Sequence, residues 1–226
     1  MQNKEKKQGI IAGISLVIMA IVAGFSFGYA HNNLVTDSPT ITLQNLIAGK
    51  SLFYAELAGW SIIFALDVIV AIALYYFFRS TSKQISLITA AIRIAYTLIL
   101  GIAIIYLFKI IPILSATEHN VSETFSYLQL FEKFWSIGLI VFGLHLIGLG
   151  YLSVKSKSVH WILGYLLYLG GISYTFIHTA QQLSLFNTEV ISSIEKILVL
   201  PMTLAEMVLA FWLIYRGFRK SSVKTT

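Results

Sequence analysis

Of 226 residues, 57% are hydrophobic and 12% charged, about half the ~25% charged share of a soluble globular domain, which excludes a water-soluble protein of ordinary composition. Cysteine is absent, so disulfides, thiolate metal centres and cysteine nucleophiles are excluded. The formal net charge of +6 sits at the ends of apolar runs, a membrane pattern and not a nucleic-acid footprint.

Six apolar segments are long enough to cross a hydrocarbon slab: about 9–30, 53–78, 85–108, 131–154, 160–183 and 199–218. The first follows Lys4, Lys6 and Lys7 and ends near Gly28 and Ala30, which imitates a secretory signal. Its apolar stretch is longer than the usual ~7–15 residues of such a signal, and it is read as a retained span. Gly9, Gly13, Gly24 and Gly28, with Ala20, form a small-residue face suited to a helix partner. Residues 38–50 follow Asp37-Ser38-Pro39 and mix Ile41, Leu43, Leu46 and Ile47 with polar positions, which predicts a short amphipathic interfacial helix. Segments two and three are joined by a short turn, as are four and five. Residues 109–130, with Pro112 and the acids Glu118 and Glu123, are expected to form an outer loop.

The basic residues orient this pattern. With the N-terminus inside, cytoplasmic stretches hold Lys4, Lys6, Lys7, Arg79, Lys83, Lys155, Lys157, Arg216, Arg219, Lys220 and Lys224, which is 11 of the 16. The outer stretches hold Lys50, Lys109, Lys133 and Lys196 with six acids: Asp37, Glu118, Glu123, Glu132, Glu189 and Glu195. The expected architecture is an all-α integral membrane bundle of six transmembrane helices in one domain, both termini cytoplasmic.

Four ionisable residues interrupt the spans. Asp67, His145 and Glu206 lie 12, 10 and 10 residues before Arg79, Lys155 and Arg216, and Arg93 lies 10 after Lys83. At 1.5 Å per residue all four sit roughly 15–18 Å from the boundary, near the midplane. A charge there costs at least ~2.5–3.5 kcal/mol unless it is paired or hydrated. Asp67 and Arg93, on the two arms of one hairpin, read as a structural ion pair. His145 and Glu206 read either as a hydrogen-bonded pair joining spans four and six or as a titrating ligand site.

A second polar layer is expected nearer the outside. Glu56 is 11 residues before Asp67 and shares its helix face. Tyr174, His178 and Gln181 lie on one stripe of span five, and together with Glu56 they suggest a funnel to the midplane. Trp60 and Trp135 read as interfacial anchors. No cofactor or metal is expected: His145 and His178 differ in depth by roughly 12 Å, too far for two axial haem ligands, and no zinc or phosphate-loop motif occurs.

Three stretches carry a family resemblance. They are Leu66-Asp67-Val68-Ile69 through Ala91-Ile92-Arg93, Phe142-Gly143-Leu144-His145-Leu146 through Gly170-Gly171-Ile172-Ser173-Tyr174, and Ala205-Glu206 with Phe211-Trp212-Leu213-Ile214-Tyr215-Arg216-Gly217. Together they resemble the bacterial multi-pass membrane family catalogued as domain of unknown function 4386. The resemblance implies one six-helix domain in a bacterial cytoplasmic membrane and places Asp67, Arg93, His145 and Glu206 on characteristic positions. It implies no mechanism. The leading expectation is binding or movement of a small solute, ion or proton at the midplane. The alternatives are a non-catalytic sensor or assembly partner, and an intramembrane enzyme on a lipid-like substrate with His145 as base.

Overall fold

The computed structural model describes residues 3–116, 118–156 and 158–219, and every long regular element among them is a helix. Lys157, Lys220 and Lys224 lie outside the described residues. Helix α1 (Asn3–Ala23) continues as a π-helical segment (Gly24–His31) and a last turn, α2 (Asn32–Leu34). There follow α3 (Pro39–Ala48), α4 (Lys50–Phe78), α5 (Lys83–Phe108), α6 (Ile110–Ser115), α7 (Val121–Lys155), α8 (Trp161–Gln182) and α9 (Thr188–Phe218). Four of these helices start on a side chain that accepts from a backbone N–H three residues on. Ser38 takes Ile41, Ser82 takes Ile85, Asn120 takes Glu123, and Asn187 takes Val190. Each satisfies a donor that the first helical turn leaves open.

The long helices pack in chain order, α1 on α4, α4 on α5, α5 on α7, α7 on α8 and α8 on α9, and α9 returns to α1. Six helices therefore close into a ring. The start of α1 and the end of α9 lie at one end of it, where the Lys6 ammonium donates to the Arg219 carbonyl at 2.7 Å and Lys4 and Arg79 both face the Tyr76 ring. We call this the terminal end and the opposite one, carrying α3 and α6, the distal end.

Glycines set the tightest seam. On antiparallel α7 and α8 they pair reciprocally. A Cβ on Gly143 would fall 2.6 Å from the Gly171 carbonyl, and one on Gly171 equally close to that of Gly143. Gly150 and Gly164 are matched in the same way at 2.9 Å. Both members of each pair stand seven residues from the next, two helical turns, so two whole backbones touch along one line.

Among the described residues, five helical stretches are long and apolar enough to cross a membrane: Lys4–Leu34, Lys50–Phe78, Lys83–Ser115, Val121–Lys155 and Thr188–Phe218. The protein is thus an all-helical bundle of multi-pass membrane type. The segment expected as span five, now α8, is not among them, because glycines, tyrosines, Ser173, His178 and two glutamines dilute its apolar content.

Other expectations change as well. Much of residues 109–130 is helical, not loop: α6 takes up Pro112, and α7 starts at Val121, ten residues before the expected span. The start is fixed by Asn120, whose side chain caps the helix by accepting from the Glu123 backbone N–H. Helix α9 likewise begins at 188, not 199, and tolerates Pro201 at its middle. Gly9 and Gly13 meet Phe77, Ala210 and Ile214 of this same chain, so half the small-residue face holds α1 to α4 and α9. Gly24 and Gly28 face open space. Trp60 is 2% exposed and belongs to the core, not to an interface.

Because backbone oxygens crowd Gly143 and Gly171, Gly143→Ala or Gly171→Ala is expected to lower stability by about 1–3 kcal/mol through overpacking, while Gly24→Ala has room. Thermal melting of the purified variants in one detergent, read by size-exclusion chromatography, checks this ordering.

Candidate functional site

The ring brings Asp67, Arg93, His145 and Glu206 together, with Arg93 at the hub. Arg93 Nε donates to Asp67 Oδ1 at 2.9 Å, and Nη2 lies 2.7 Å from the same oxygen. Nη1 donates to Glu206 Oε1 and to His145 Nε2, each at 3.1 Å. His145 Nδ1 lies 2.9 Å from the Thr89 carbonyl. A guanidinium only donates and a carbonyl only accepts, so the partners assign His145 as the neutral tautomer with its proton on Nδ1. The expected hydrogen bond between His145 and Glu206 is replaced by a shared contact to Arg93. The Arg93 guanidinium also faces the Phe142 ring at 5.4 Å.

Burial separates the four. Asp67, Arg93 and His145 are fully enclosed, whereas the Glu206 side chain is 24% exposed. Asp67 and Arg93 are not a bidentate pair, since Nε and Nη2 converge on Oδ1. Asp67 Oδ2 is left with no hydrogen-bond partner, and Arg93 Nη2 makes only the ion-pair contact. These are atoms that ordinarily cost about 1–3 kcal/mol when buried unpaired.

Asp67, Arg93 and Glu206 line a cavity of about 480 Å³ inside the ring, within the range of small-molecule sites. Its walls are aromatic and soft: Phe27, Trp60, Tyr96, Trp135, Phe142 and Tyr174, with Met19, Met202 and Met207. His145 stands behind Arg93 and does not line it. A groove of about 510 Å³ at the distal end, between Lys109 and Tyr127, holds none of the four residues and is an outer surface feature.

The expected outer funnel resolves into two separate groups. Glu56 turns to His31, whose Nδ1 is 2.8 Å from Glu56 Oε1 and whose Nε2 is 3.2 Å from Glu132 Oε1. With a carboxylate on each nitrogen, His31 fits a doubly protonated imidazolium. Trp60 Nε1 donates to the same Glu56 oxygen at 3.4 Å. On α8, Tyr174 stacks on His178, His178 Nδ1 lies 2.9 Å from Gln181 Oε1, and Gln181 donates to Glu195. Of Glu56, Tyr174, His178 and Gln181, Tyr174 alone lines the cavity. Among the described residues no cluster of three or more His, Asp and Glu is arranged to hold a metal.

His31 and Glu132 are the residues that sequence reasoning missed. His31 falls just past the end of the first expected span, 9–30. The π-helical segment before it bonds i to i+5 and underwinds the helix, so a 3.6-residue period misplaces every side chain beyond Gly24. Gly59 of α4 admits this segment closely, for a Cβ there would strike Ser26.

Arg93→Met leaves two carboxylates and a histidine acceptor without their donor, and a loss of about 3–5 kcal/mol is expected. Combining Arg93→Met with Asp67→Asn is expected to recover part of it, because the pair is coupled. A double-mutant cycle on melting temperature measures this, and additive losses would refute the hub.

Residues 11–217 match the family model described as a domain of unknown function, DUF4386. A relative from Archaeoglobus fulgidus, described as an uncharacterized protein, is 32% identical over 171 residues, which cover 76% of this chain and 89% of the relative. No solved structure matches the chain. The family match reaches all six ring helices and includes all four residues of the Arg93 cluster, and the chain belongs to the DUF4386 family.

Proposed function

We propose that the protein crosses a bacterial cytoplasmic membrane six times, with the terminal end in the cytoplasm, and binds a proton, ion or small solute at Glu206 within the ring. Support for α8 as a sixth crossing comes from its faces. Trp161, Ile162, Tyr165, Leu169, Ile172 and Phe176 are exposed, while Gly164, Gly170, Gly171, Ser173 and His178 are buried. An exposed apolar face over a buried polar one suits lipid and not water. Orientation is supported by Lys4, Lys6, Lys7, Arg79, Lys83, Lys155, Arg216 and Arg219, which belong to the terminal end. The bacterial membrane is what the family resemblance implies.

The observation that carries the binding reading is charge imbalance. One permanent cation, Arg93, serves two carboxylates, while His145 is held neutral. With both carboxylates ionised the cluster carries one negative charge in excess. Glu206, the most exposed of the four, is where a proton or cation reaches it. A low-dielectric interior makes an uncompensated charge costly, so the site favours an occupant of opposite sign.

The enzyme reading loses its base, because both nitrogens of His145 are engaged and the ring does not reach the cavity. A purely structural reading is favoured for Arg93, Asp67 and His145 by their complete burial, and it leaves Glu206 unexplained.

If Glu206 exchanges a proton, infrared difference spectra of the full chain across a pH series show a carboxyl band that Glu206→Gln removes. The amide of glutamine still accepts from Arg93, so the melting temperature is expected to stay near that of the parent. A pH-dependent band unchanged by the substitution would sink the proposal.

A further inference from the structure

The cavity has a side door, and its walls and charge specify what fits through it. Gly24 and Gly28 line the cavity, are themselves exposed, and have no atom within 4 Å of an added Cβ. Across from them, Val199 and Thr203 of α9 line the same cavity and are also exposed. Towards the terminal end the two helices touch, Gly13 against Ala210 and Ile214. Towards the distal end the π-helical segment packs on α4 instead, and α9 is largely exposed before Pro201. The ring is therefore open on its flank between the π-helical segment and α9, at the level of an apolar membrane interior.

Three properties meet behind that opening. The walls are aromatic and thioether, the surfaces that attract a poorly hydrated cation by its charge and its apolar substituents. The inner end is bounded by Asp67, whose Oδ2 is buried without a hydrogen-bond partner, and by the partly exposed carboxylate of Glu206. The cluster as a whole has one negative charge in excess. Resting on the reading of Glu206 as the binding group, we propose that the occupant is a lipophilic organic monocation, an amine or onium ion with apolar substituents, entering from the membrane between the π-helical segment and α9. It exchanges against a proton, with Glu206-COOH and the cation giving the Glu206 carboxylate–cation pair and a released proton.

The groups facing Glu206 suit this exchange. Helix α5 presents Arg93 and Tyr96, α4 presents Asp67, α8 presents Tyr174, and α7 presents His145 only through Arg93. Helix α1 contributes Leu16, Met19 and Ala20 to the lining and no titratable group. Arg93 does not repel the cation outright, because Asp67 lies 2.7 Å from it. A zwitterionic lipid headgroup is a poorer fit, since its phosphate would arrive beside two carboxylates.

The test is tetraphenylphosphonium binding to the full chain in phosphatidylglycerol nanodiscs across a pH series. Competition with one proton weakens the apparent affinity by up to about tenfold for each unit by which the pH falls where the proton occupies the site. Glu206→Gln abolishes binding at an unchanged melting temperature, and Gly28→Leu, placed in open space, slows association. Tetraphenylborate, the anionic isostere, does not bind. Equal binding of the borate, binding without pH dependence, or binding kept by Glu206→Gln would each overturn the proposal. Displacement of the probe by added phosphatidylethanolamine would do so too, by making a lipid headgroup the occupant. If the Glu206 carboxyl band responds to pH while no phosphonium binds, this inference fails and the proton site stands. If the band itself is missing, the underlying reading fails with it.

Discussion

A guanidinium that cannot lose its proton is enclosed at the centre of this ring, and the helices around it are placed to serve its N–H groups. Arg93 on α5 reaches Asp67 on α4, His145 on α7 and Glu206 on α9. No two of these residues share a helix, so one side chain ties four of the six ring members together. Association of helices in lipid lacks the hydrophobic drive available in water and depends on packing and polar contacts. A buried arginine with acceptors on three neighbours supplies the directional part of that association, for any displaced helix leaves a donor or a carboxylate unpaired at a cost of several kcal/mol.

Packing supplies the rest, and it is uneven. Gly143 with Gly171 and Gly150 with Gly164 bring α7 and α8 into backbone contact, and Gly9 and Gly13 seat α1 on α4 and α9 at the terminal end. Nothing comparable joins the π-helical segment to the distal half of α9. The ring is consequently tight where glycines meet backbone and open where Gly24 and Gly28 meet nothing. The wider helix also carries His31 inward to bridge Glu56 and Glu132. One local change of hydrogen-bond period thus closes the distal end while it leaves the flank open.

The four hub residues were legible because an isolated ionisable side chain in an apolar run is conspicuous, and counting residues to the basic ends placed all four at one depth. The hairpin pairing of Asp67 with Arg93 followed from chain order. His31 was hidden because its position depends on a π-helical segment that no 3.6-residue period announces. Glu132 was hidden because it sits where an acid-rich stretch meets an apolar one, and the capping by Asn120 that makes this stretch helical is a local signal easily outweighed by composition. Trp60 looked like an interfacial residue, but its indole N–H finds Glu56 inside the core. The role of His145 needed a partner far away in sequence, the carbonyl of Thr89, which the packing of α5 on α7 brings near.

That carbonyl decides the charge of the site. Asp67 and His145 occupy similar surroundings in the runs Phe64-Ala65-Leu66-Asp67 and Phe142-Gly143-Leu144-His145, and both present an acceptor to Arg93, one anionic and one neutral. Were His145 protonated, two cations would balance two carboxylates and the cluster would need no further occupant. Thr89 accepts the proton on Nδ1, and Arg93 requires a lone pair on Nε2, so the imidazole has no room for a second proton without losing its bond to Arg93. Because His145 is held neutral, the second carboxylate goes unmatched. Because Asp67 is fully buried against Arg93 while the Glu206 side chain is 24% exposed, the unmatched charge belongs to the more accessible of the two carboxylates.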